Sequence, residues 1–202
     1  RYPRGSGLGV PLDPEMKELP IGKGEVIQDG TDIAIFAYGH TVEWAQTVAD
    51  KLEKEGVSVA VINARFAKPV DKELIAKYAL KTRCLITTEE HSLKGGFGSA
   101  VLEALQEEQV VNIPVKCIGI DDIVLEHGAV DRQRKDLKLD PDGMFETIMT
   151  FYGAVAEMAA SGNGKKWVVP NGKKSHSPNG KKSSYSGNGN KEETKVKQPL
   201  NG

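Results

Sequence analysis

The sequence predicts an α/β fold, a three-layer, doubly wound arrangement around a mostly parallel β-sheet. Short apolar runs rich in β-branched residues alternate with segments of helical periodicity. The apolar runs lack polar alternation, which is typical of parallel strands buried on both faces. Strands separated by helices favour crossovers that cover both faces of the sheet. The predicted strands are 32–39, 57–66, 83–91 and 115–122, and the predicted helices are 41–56, 71–81, 99–109 and 140–158.

The first strand and helix carry clear local signals. Residues 32–39 (DIAIFAYG) form an apolar and aromatic run that ends in glycine. In the next segment apolar side chains recur at helical spacing, at Val42, Ala45, Val48, Ala49 and Leu52. Gly56 follows where a helix C-terminal cap belongs.

The later helices are marked at their first residues. Asp71 is placed to cap helix 71–81, and Asp140 followed by Pro141 marks the start of the last helix. A glycine-rich loop, residues 93–99 (LKGGFGS), leads from strand 83–91 into helix 99–109.

Both ends of the chain fall outside this alternation. Residues 1–24 are rich in proline and glycine, which predicts an extended arm or linker. The motif NGKK recurs at Asn163, Asn171 and Asn179 in a stretch with almost no apolar residues, which predicts a disordered tail. We therefore divide the chain into an arm (1–24), an α/β domain (25–158) and a tail (159–202).

Charge is unevenly distributed along the chain. The tail holds nine lysines against two glutamates, a formal charge of +7, whereas the whole chain carries −1. Residues 1–158 therefore carry −8, which argues against nucleic acid as a partner of the domain. No window approaches the roughly 18 continuous apolar residues of a membrane span, so no membrane partner is expected.

The two cysteines show no metal or redox spacing. Cys84 and Cys117 lie in the apolar runs RCLITT and VKCIGI, without a C-x-x-C pattern or a neighbouring histidine. We predict two buried thiols in a reducing compartment.

The glycine-rich loop is a candidate phosphate site, since backbone N–H groups at a helix N-terminus can hold an anion. Gly96 and Gly98 resemble part of a dinucleotide fingerprint, but Ala100 and Val101 stand where a third glycine is needed. The pattern favours close packing of the helix on the sheet over nucleotide binding.

Polar residues at strand ends are the other candidates. Glu89, Glu90 and His91 end a strand where α/β proteins place chemistry. Neighbours on a strand face opposite ways, so the two carboxylates cannot converge on one ligand, and we favour subunit or domain contacts over catalysis. Arg65 ends a strand and is predicted to be a structural clamp to a carboxylate or carbonyl.

The remaining histidines have no partner in the sequence that defines a site. His40, His127 and His176 lack a serine, cysteine or second histidine at the spacing of a triad or metal site. We predict surface or packing roles for them, and the α/β domain by itself offers no complete active site.

Five motifs together resemble, in order, signatures of the 1-deoxy-D-xylulose-5-phosphate synthase family, which belongs to the transketolase group of thiamine-diphosphate enzymes. The resemblance covers about residues 1–152. RYPRG with LPIGKG separates this family from transketolase proper and from 2-oxoacid dehydrogenase β subunits. The motifs are RYPRG (1–5), LPIGKG (19–24), NARFAKPVD (63–71), TTEEHSLKGGFGSAV (87–101) and IGIDD with EHG (118–122 and 126–128).

The resemblance implies the C-terminal part of a three-domain, homodimeric enzyme. Such an enzyme condenses pyruvate with glyceraldehyde 3-phosphate, releases CO₂ and forms 1-deoxy-D-xylulose 5-phosphate, a precursor of isoprenoids, thiamine and pyridoxal. The family's segments for thiamine diphosphate and Mg²⁺ have no counterpart here, so the chain alone is expected to bind neither and to be inactive. The implied compartment is the cytoplasm of a bacterium or the plastid of a photosynthetic eukaryote.

The resemblance also implies a substrate contact at Arg4, which would bind the phosphate of the acceptor substrate, with Arg1 in support. A planar guanidinium grips phosphate oxygens in a bidentate fork that lysine cannot reproduce. Pro3 stiffens the backbone before Arg4, and Gly5 lets the chain turn away. No catalytic, cofactor-binding or metal-binding residue is expected in this chain.

Two alternatives remain open. The chain could be a stand-alone, non-catalytic transketolase C-terminal domain that dimerises or regulates, with the tail binding a partner. It could also be the β-like half of a split enzyme whose other half is a separate chain.

Overall fold

The computed structural model describes Gly9 and residues 14–161. The α/β class is confirmed, with five strands and five helices in this described part. The strands are β1 (Glu25–Gln28), β2 (Ile33–Ala37), β3 (Val59–Asn63), β4 (Cys84–Ser92) and β5 (Val115–Ile120). The helices are α1 (Thr41–Lys54), α2 (Lys72–Lys81), α3 (Phe97–Glu107), α4 (Val130–Asp136) and α5 (Pro141–Ala160).

The strands form one mostly parallel sheet in the order β1-β3-β2-β4-β5. The β3–β2, β2–β4 and β4–β5 pairs are parallel, whereas β1 runs antiparallel to β3. Ile33 of β2 lies beside Val59 on one side and Cys84 on the other, so β2 is the central strand.

Two apolar cores lie on the two faces of the sheet. On β2, Ile33 and Ile35 enter the core formed with α1 and α5, while Ala34 and Phe36 enter the core formed with α2 and α3. All five residues of β2 are buried because helices cover both faces, as the uninterrupted apolar run predicts.

The predicted helix caps are confirmed. The Asp71 carboxylate accepts the Leu74 N–H at 3.2 Å, and the Asp140 carboxylate accepts the Gly143 N–H at 3.2 Å. Gly56 follows α1 with φ +80°, the left-handed conformation that glycine adopts most readily.

The structure adds two elements that the sequence pattern did not predict. Strand β1 (EVIQ) is a mostly exposed edge strand, and α4 has no buried residue, so neither shows an apolar periodicity. Helix α3 also begins two residues before the predicted Ser99, at Phe97. Strand β1 pairs with β3, and Arg134 of α4 pairs with Glu90 of β4, contacts between residues more than 30 positions apart that no local pattern shows.

Several predicted features lie outside the described residues. These are Arg1, Arg4, His176 and most of the tail. The start of the tail is described, because α5 extends to Ala160, two residues past its predicted end. Within residues 14–161 no helix is both long enough and apolar enough to cross a membrane.

Candidate functional site

The fold places its crevice at the carboxyl ends of β2 and β4. Helix α1 follows β2 on one face of the sheet, and α3 follows β4 on the other face. Adjacent parallel strands whose following helices diverge in this way form the position where open α/β sheets bind ligands. His40 lies just beyond β2, and Glu89, Glu90 and His91 lie near the end of β4.

Glu89 is a buried carboxylate that caps α3. Its side chain is 1% exposed. One carboxylate oxygen accepts the Phe97 N–H at 2.7 Å, and the other accepts the Gly98 N–H at 2.8 Å. The negative charge lies at the positive end of the helix dipole, where an external phosphate would otherwise bind.

The glycines of the loop provide the space for this carboxylate. A Cβ atom on Gly96 would lie 2.4 Å from a carboxylate oxygen of Glu89, and one on Gly98 would lie 2.8 Å from the Thr87 hydroxyl oxygen. Both glycines therefore allow close packing of α3 on β4. The close approach of α3 to β4 at these two glycines confirms the prediction that the glycine-rich loop serves helix–sheet packing.

Glu90 points to the other face of the sheet. It accepts a hydrogen bond from Nε of Arg134 at 2.6 Å, and the Arg134 guanidinium lies 4.9 Å from the centre of the Trp44 ring. The predicted divergence of the two carboxylates is confirmed. The predicted role in subunit or domain contacts is wrong for Glu89, because α3 buries its side chain. For Glu90, which pairs with Arg134, and for His91 it stays a prediction.

The crevice floor is filled by the chain's own side chains. The Thr41 and Thr88 hydroxyl oxygens lie 2.8 Å apart, and both residues are buried. The Tyr38 ring stacks on Phe97 with centres 5.4 Å apart. Sequence reasoning missed this threonine pair, because no local pattern relates residues that are 47 positions apart.

The three histidines of the described residues have different surroundings and do not form a common site. The His40 ring lies 4.8 Å from the Trp44 ring, a packing contact, and His127 is exposed. His91 is half-buried, with Nδ1 3.3 Å from the Ser92 carbonyl oxygen. Across residues 14–161 no three histidine, cysteine or acidic side chains form a group that could hold a metal ion.

Arg65 is a clamp between strands. Its guanidinium donates to the Glu25 carboxylate at 2.6 Å and so joins the end of β3 to the edge strand β1. Its φ of +56° is unusual for a residue other than glycine, and its backbone N–H donates to the Asn63 side chain at 3.1 Å. These contacts agree with the predicted structural role.

The two cysteines differ in exposure. Cys84 is buried, and burial, assisted by the negative charge of Asp32, raises the pKa of its thiol to about 12. Cys117 is only half-buried, so its predicted full burial is wrong. The reason is that β5 is an edge strand of the sheet.

The described residues do not fit thiamine diphosphate and its metal ion. The helix N-terminus that follows the glycine-rich loop is filled by Glu89, and the described part of the chain offers no acidic cluster for a cation. The site is a packed junction rather than a catalytic pocket, so we assign no step of a reaction to it.

The chain matches known proteins along most of this domain. The family described as "Transketolase, C-terminal domain" matches residues 22–144. The "1-deoxy-D-xylulose-5-phosphate synthase 1" of Geobacter sulfurreducens is 47% identical over 154 residues, covering 76% of this chain and 24% of that protein. The synthase of Heliobacterium modesticaldum is 52% identical over 139 residues, covering 69% of this chain and 21% of that protein.

A solved structure shares the architecture. It is titled "Split gene transketolase, inactive beta4 tetramer", with 33% identity and a TM-score of 0.62 over 72% of this chain and 46% of that chain. The chain thus spans about a quarter of the length of the curated relatives that it matches. These matches confirm the resemblance inferred from the motifs. Because the family match covers more than half of its residues and falls on the observed sheet, this chain belongs to the transketolase C-terminal domain family.

Proposed function

We propose that this chain is the C-terminal part of a 1-deoxy-D-xylulose-5-phosphate synthase. The whole enzyme would be a thiamine-diphosphate-dependent transferase that condenses pyruvate and glyceraldehyde 3-phosphate with loss of CO₂. The observation that carries the proposal is 43–52% identity to several synthases over about three quarters of the chain.

In this proposal the chain contributes structure and one substrate contact. Residues 1–24 would be the end of the preceding, pyrimidine-binding domain and its linker, and residues 25–158 the C-terminal domain. Thiamine diphosphate and Mg²⁺ would bind to the rest of a homodimeric enzyme, and the isolated chain would be inactive. Its compartment would be the bacterial cytoplasm, or the plastid in a photosynthetic eukaryote.

Arg4 would bind the phosphate of glyceraldehyde 3-phosphate, with Arg1 in support. Both residues lie outside the described part, so the support comes from the RYPRG motif and from the chemistry of the side chain. An arginine offers two parallel N–H donors to phosphate oxygens, a geometry that lysine lacks.

A chimera tests this proposal. The chain replaces the matching quarter of the Geobacter sulfurreducens synthase, and formation of 1-deoxy-D-xylulose 5-phosphate is measured with thiamine diphosphate and Mg²⁺ present. Loss of the hydrogen bonds to phosphate in Arg4→Ala corresponds to about 1.5–3 kcal/mol. At about 1.4 kcal/mol per tenfold change, we expect kcat/KM for glyceraldehyde 3-phosphate to fall about 10- to 160-fold.

The matched control is Arg83→Ala, since the Arg83 side chain is 63% exposed and paired only with Asp32 among the described residues. It should leave kcat/KM unchanged. A chimera that folds but forms no product, or an Arg4→Ala variant that behaves like Arg83→Ala, would contradict the proposal.

A second candidate is half of a split enzyme that also assembles with itself. The observation that favours it is the solved relative, whose title names a split gene transketolase and a β4 tetramer. Light scattering should then give a mass at least twice the 21.9 kDa of one chain. Turnover of pyruvate would appear only after a separate cofactor-binding chain is added, and a monomer at all concentrations would exclude this candidate.

A further inference from the structure

Apolar side chains are exposed in the segment that follows β5 at the carboxyl edge of the sheet. We call residues 121–130, the last of which begins α4, the edge loop. Every residue in it is exposed. Ile123 is 55% exposed, Val124 94% and Val130 54%. Exposed aliphatic side chains concentrated in one short segment are typical of interaction surfaces, whereas single exposed apolar residues are not.

The edge loop has almost no packing of its own within the domain. It leads into α4, which has no buried residue. The Gln133 side chain donates to the Glu126 carbonyl at 2.6 Å, and Arg134 fixes α4 to Glu90 and Trp44. The base of the loop is thus anchored while its aliphatic side chains face outward.

A second exposed apolar segment reaches the same edge. The described end of the arm, residues 14–24, carries a fully exposed Met16, with Leu19 at 54% exposure and Ile21 at 78% exposure. The arm leads into β1, whose first residue, Glu25, pairs with Asn63 at the carboxyl end of β3. The arm therefore meets the sheet at its carboxyl edge, the edge from which the edge loop leaves β5.

The arm is fixed to the domain just before β1. The Gly24 N–H donates to the Asp71 carboxylate at 3.1 Å, and Lys23 pairs with Glu73 at 2.8 Å. The last two residues of the arm, Lys23 and Gly24, are therefore held near the carboxyl edge of the sheet.

The dimensions allow one body to contact both segments. Strands β1 and β5 are the outermost strands of a five-stranded sheet. Four spacings of about 4.8 Å place them about 19 Å apart. A small domain about 30 Å across spans that distance.

We propose that the edge loop is the docking surface for the domain that precedes this one in the longer relatives, which the arm connects to it. The proposal rests on the proposed function, and on relatives about four times as long as the matched segment. Acidic residues flank the aliphatic ones: Asp122 pairs with Lys94 and Asp131 with Arg134, whereas Asp121 and Glu126 have no ion pair among the described residues. The surface that fits is an apolar patch with lysine or arginine placed opposite Asp121 and Glu126.

Amide hydrogen exchange on the chimera described above tests this docking. We expect the edge-loop amides to exchange fast in the isolated chain, and residues 123–130 to exchange at least about tenfold more slowly in the chimera. Residues 55–58 and 109–114, at the opposite edge of the sheet, should be unchanged. Equal exchange of the edge loop in both proteins overturns the proposal, and protection that grows with concentration of the isolated chain overturns it in favour of a second copy.

A matched pair of variants separates docking from folding. Val124→Asp and Val111→Asp both alter exposed loop valines, at 94% and 61% exposure, on opposite edges of the sheet. Neither should change the Tm of the isolated chain. In the chimera Val124→Asp should lower the Tm and restore fast exchange of the edge loop, whereas Val111→Asp should do neither; equal effects overturn the proposal.

The same chimera distinguishes the two proposals. Edge-loop protection without product formation supports docking and contradicts the proposed reaction. Product formation with an unprotected edge loop contradicts docking and leaves the proposed reaction supported.

Discussion

The Glu89 carboxylate occupies the anion-binding position at the N-terminus of α3. A glycine-rich loop before a helix is a common anion site, and here its anion is a carboxylate of the preceding strand, 1% exposed. Burying a carboxylate is costly unless hydrogen bonds and a favourable dipole compensate for the lost hydration. Here the N–H groups of Phe97 and Gly98 supply the hydrogen bonds, and the N-terminus of α3 supplies the favourable dipole.

This arrangement predicts unequal effects of neutralising the two adjacent carboxylates. Glu89→Gln places an amide N–H₂ against backbone donors in a buried site, and should lower the free energy of unfolding by about 1–3 kcal/mol. Glu90→Gln alters a partly exposed ion pair and should cost less than about 1 kcal/mol. Urea denaturation of the isolated chain measures both, and equal losses would contradict the capping role.

At the scale of single elements, caps and distant contacts determine where helices and strands begin. Helix α3 starts at Phe97 because Glu89, eight residues earlier, accepts its first N–H. Strand β1 exists because β3 offers a free edge, and Arg65 and Glu25 clamp the two strands together. Neither interaction leaves a local periodic signal in the sequence.

The two aspartate caps predict different costs. Asp140 caps α5 alone, so Asp140→Ala should cost about 0.5–2 kcal/mol. Asp71 caps α2 and also accepts the Gly24 N–H of the arm, so Asp71→Ala should cost about 1 kcal/mol more.

Urea denaturation gives the stabilities, and limited proteolysis should show faster cleavage of residues 14–24 in Asp71→Ala only. Cleavage at the wild-type rate in that variant would indicate that other contacts hold the arm.

At the scale of the whole molecule, the two cores share one sheet. Each strand of the sheet centre sends alternate side chains to the two faces, so loss of one core exposes strands that the other core needs. The domain should therefore unfold in one step.

Core truncations on the two faces test this coupling. Ile75 on α2 is 2% exposed and Ile148 on α5 is 0% exposed. Each change to alanine should cost about 2–5 kcal/mol. Trp44 fluorescence, read in a Trp167→Phe background, and far-UV circular dichroism should still show coincident transitions.

Ile123→Ala serves as the control, because Ile123 is 55% exposed, and it should change stability by less than about 0.5 kcal/mol. Two separated transitions in either core variant would show that the faces fold independently.

The sequence by itself determined the fold class, the order of the main strands and helices, and the aspartate caps. These features depend on the spacing of apolar residues and on side chains within three residues of a helix start, so they are local. It also predicted that Glu89 and Glu90 diverge, because neighbours on a strand face opposite sides.

Only the tertiary structure decided what these groups contact. It brought Glu89 to the start of α3, Glu90 to Arg134, Thr41 to Thr88 and Glu25 to Arg65, pairs separated by up to 47 residues. It also placed the arm and the edge loop at one edge of the sheet. The physical reason is that the periodicity of apolar residues shows which side of a helix or strand is buried. The elements that pack against that side depend on the order of strands in the sheet, which no local sequence pattern shows.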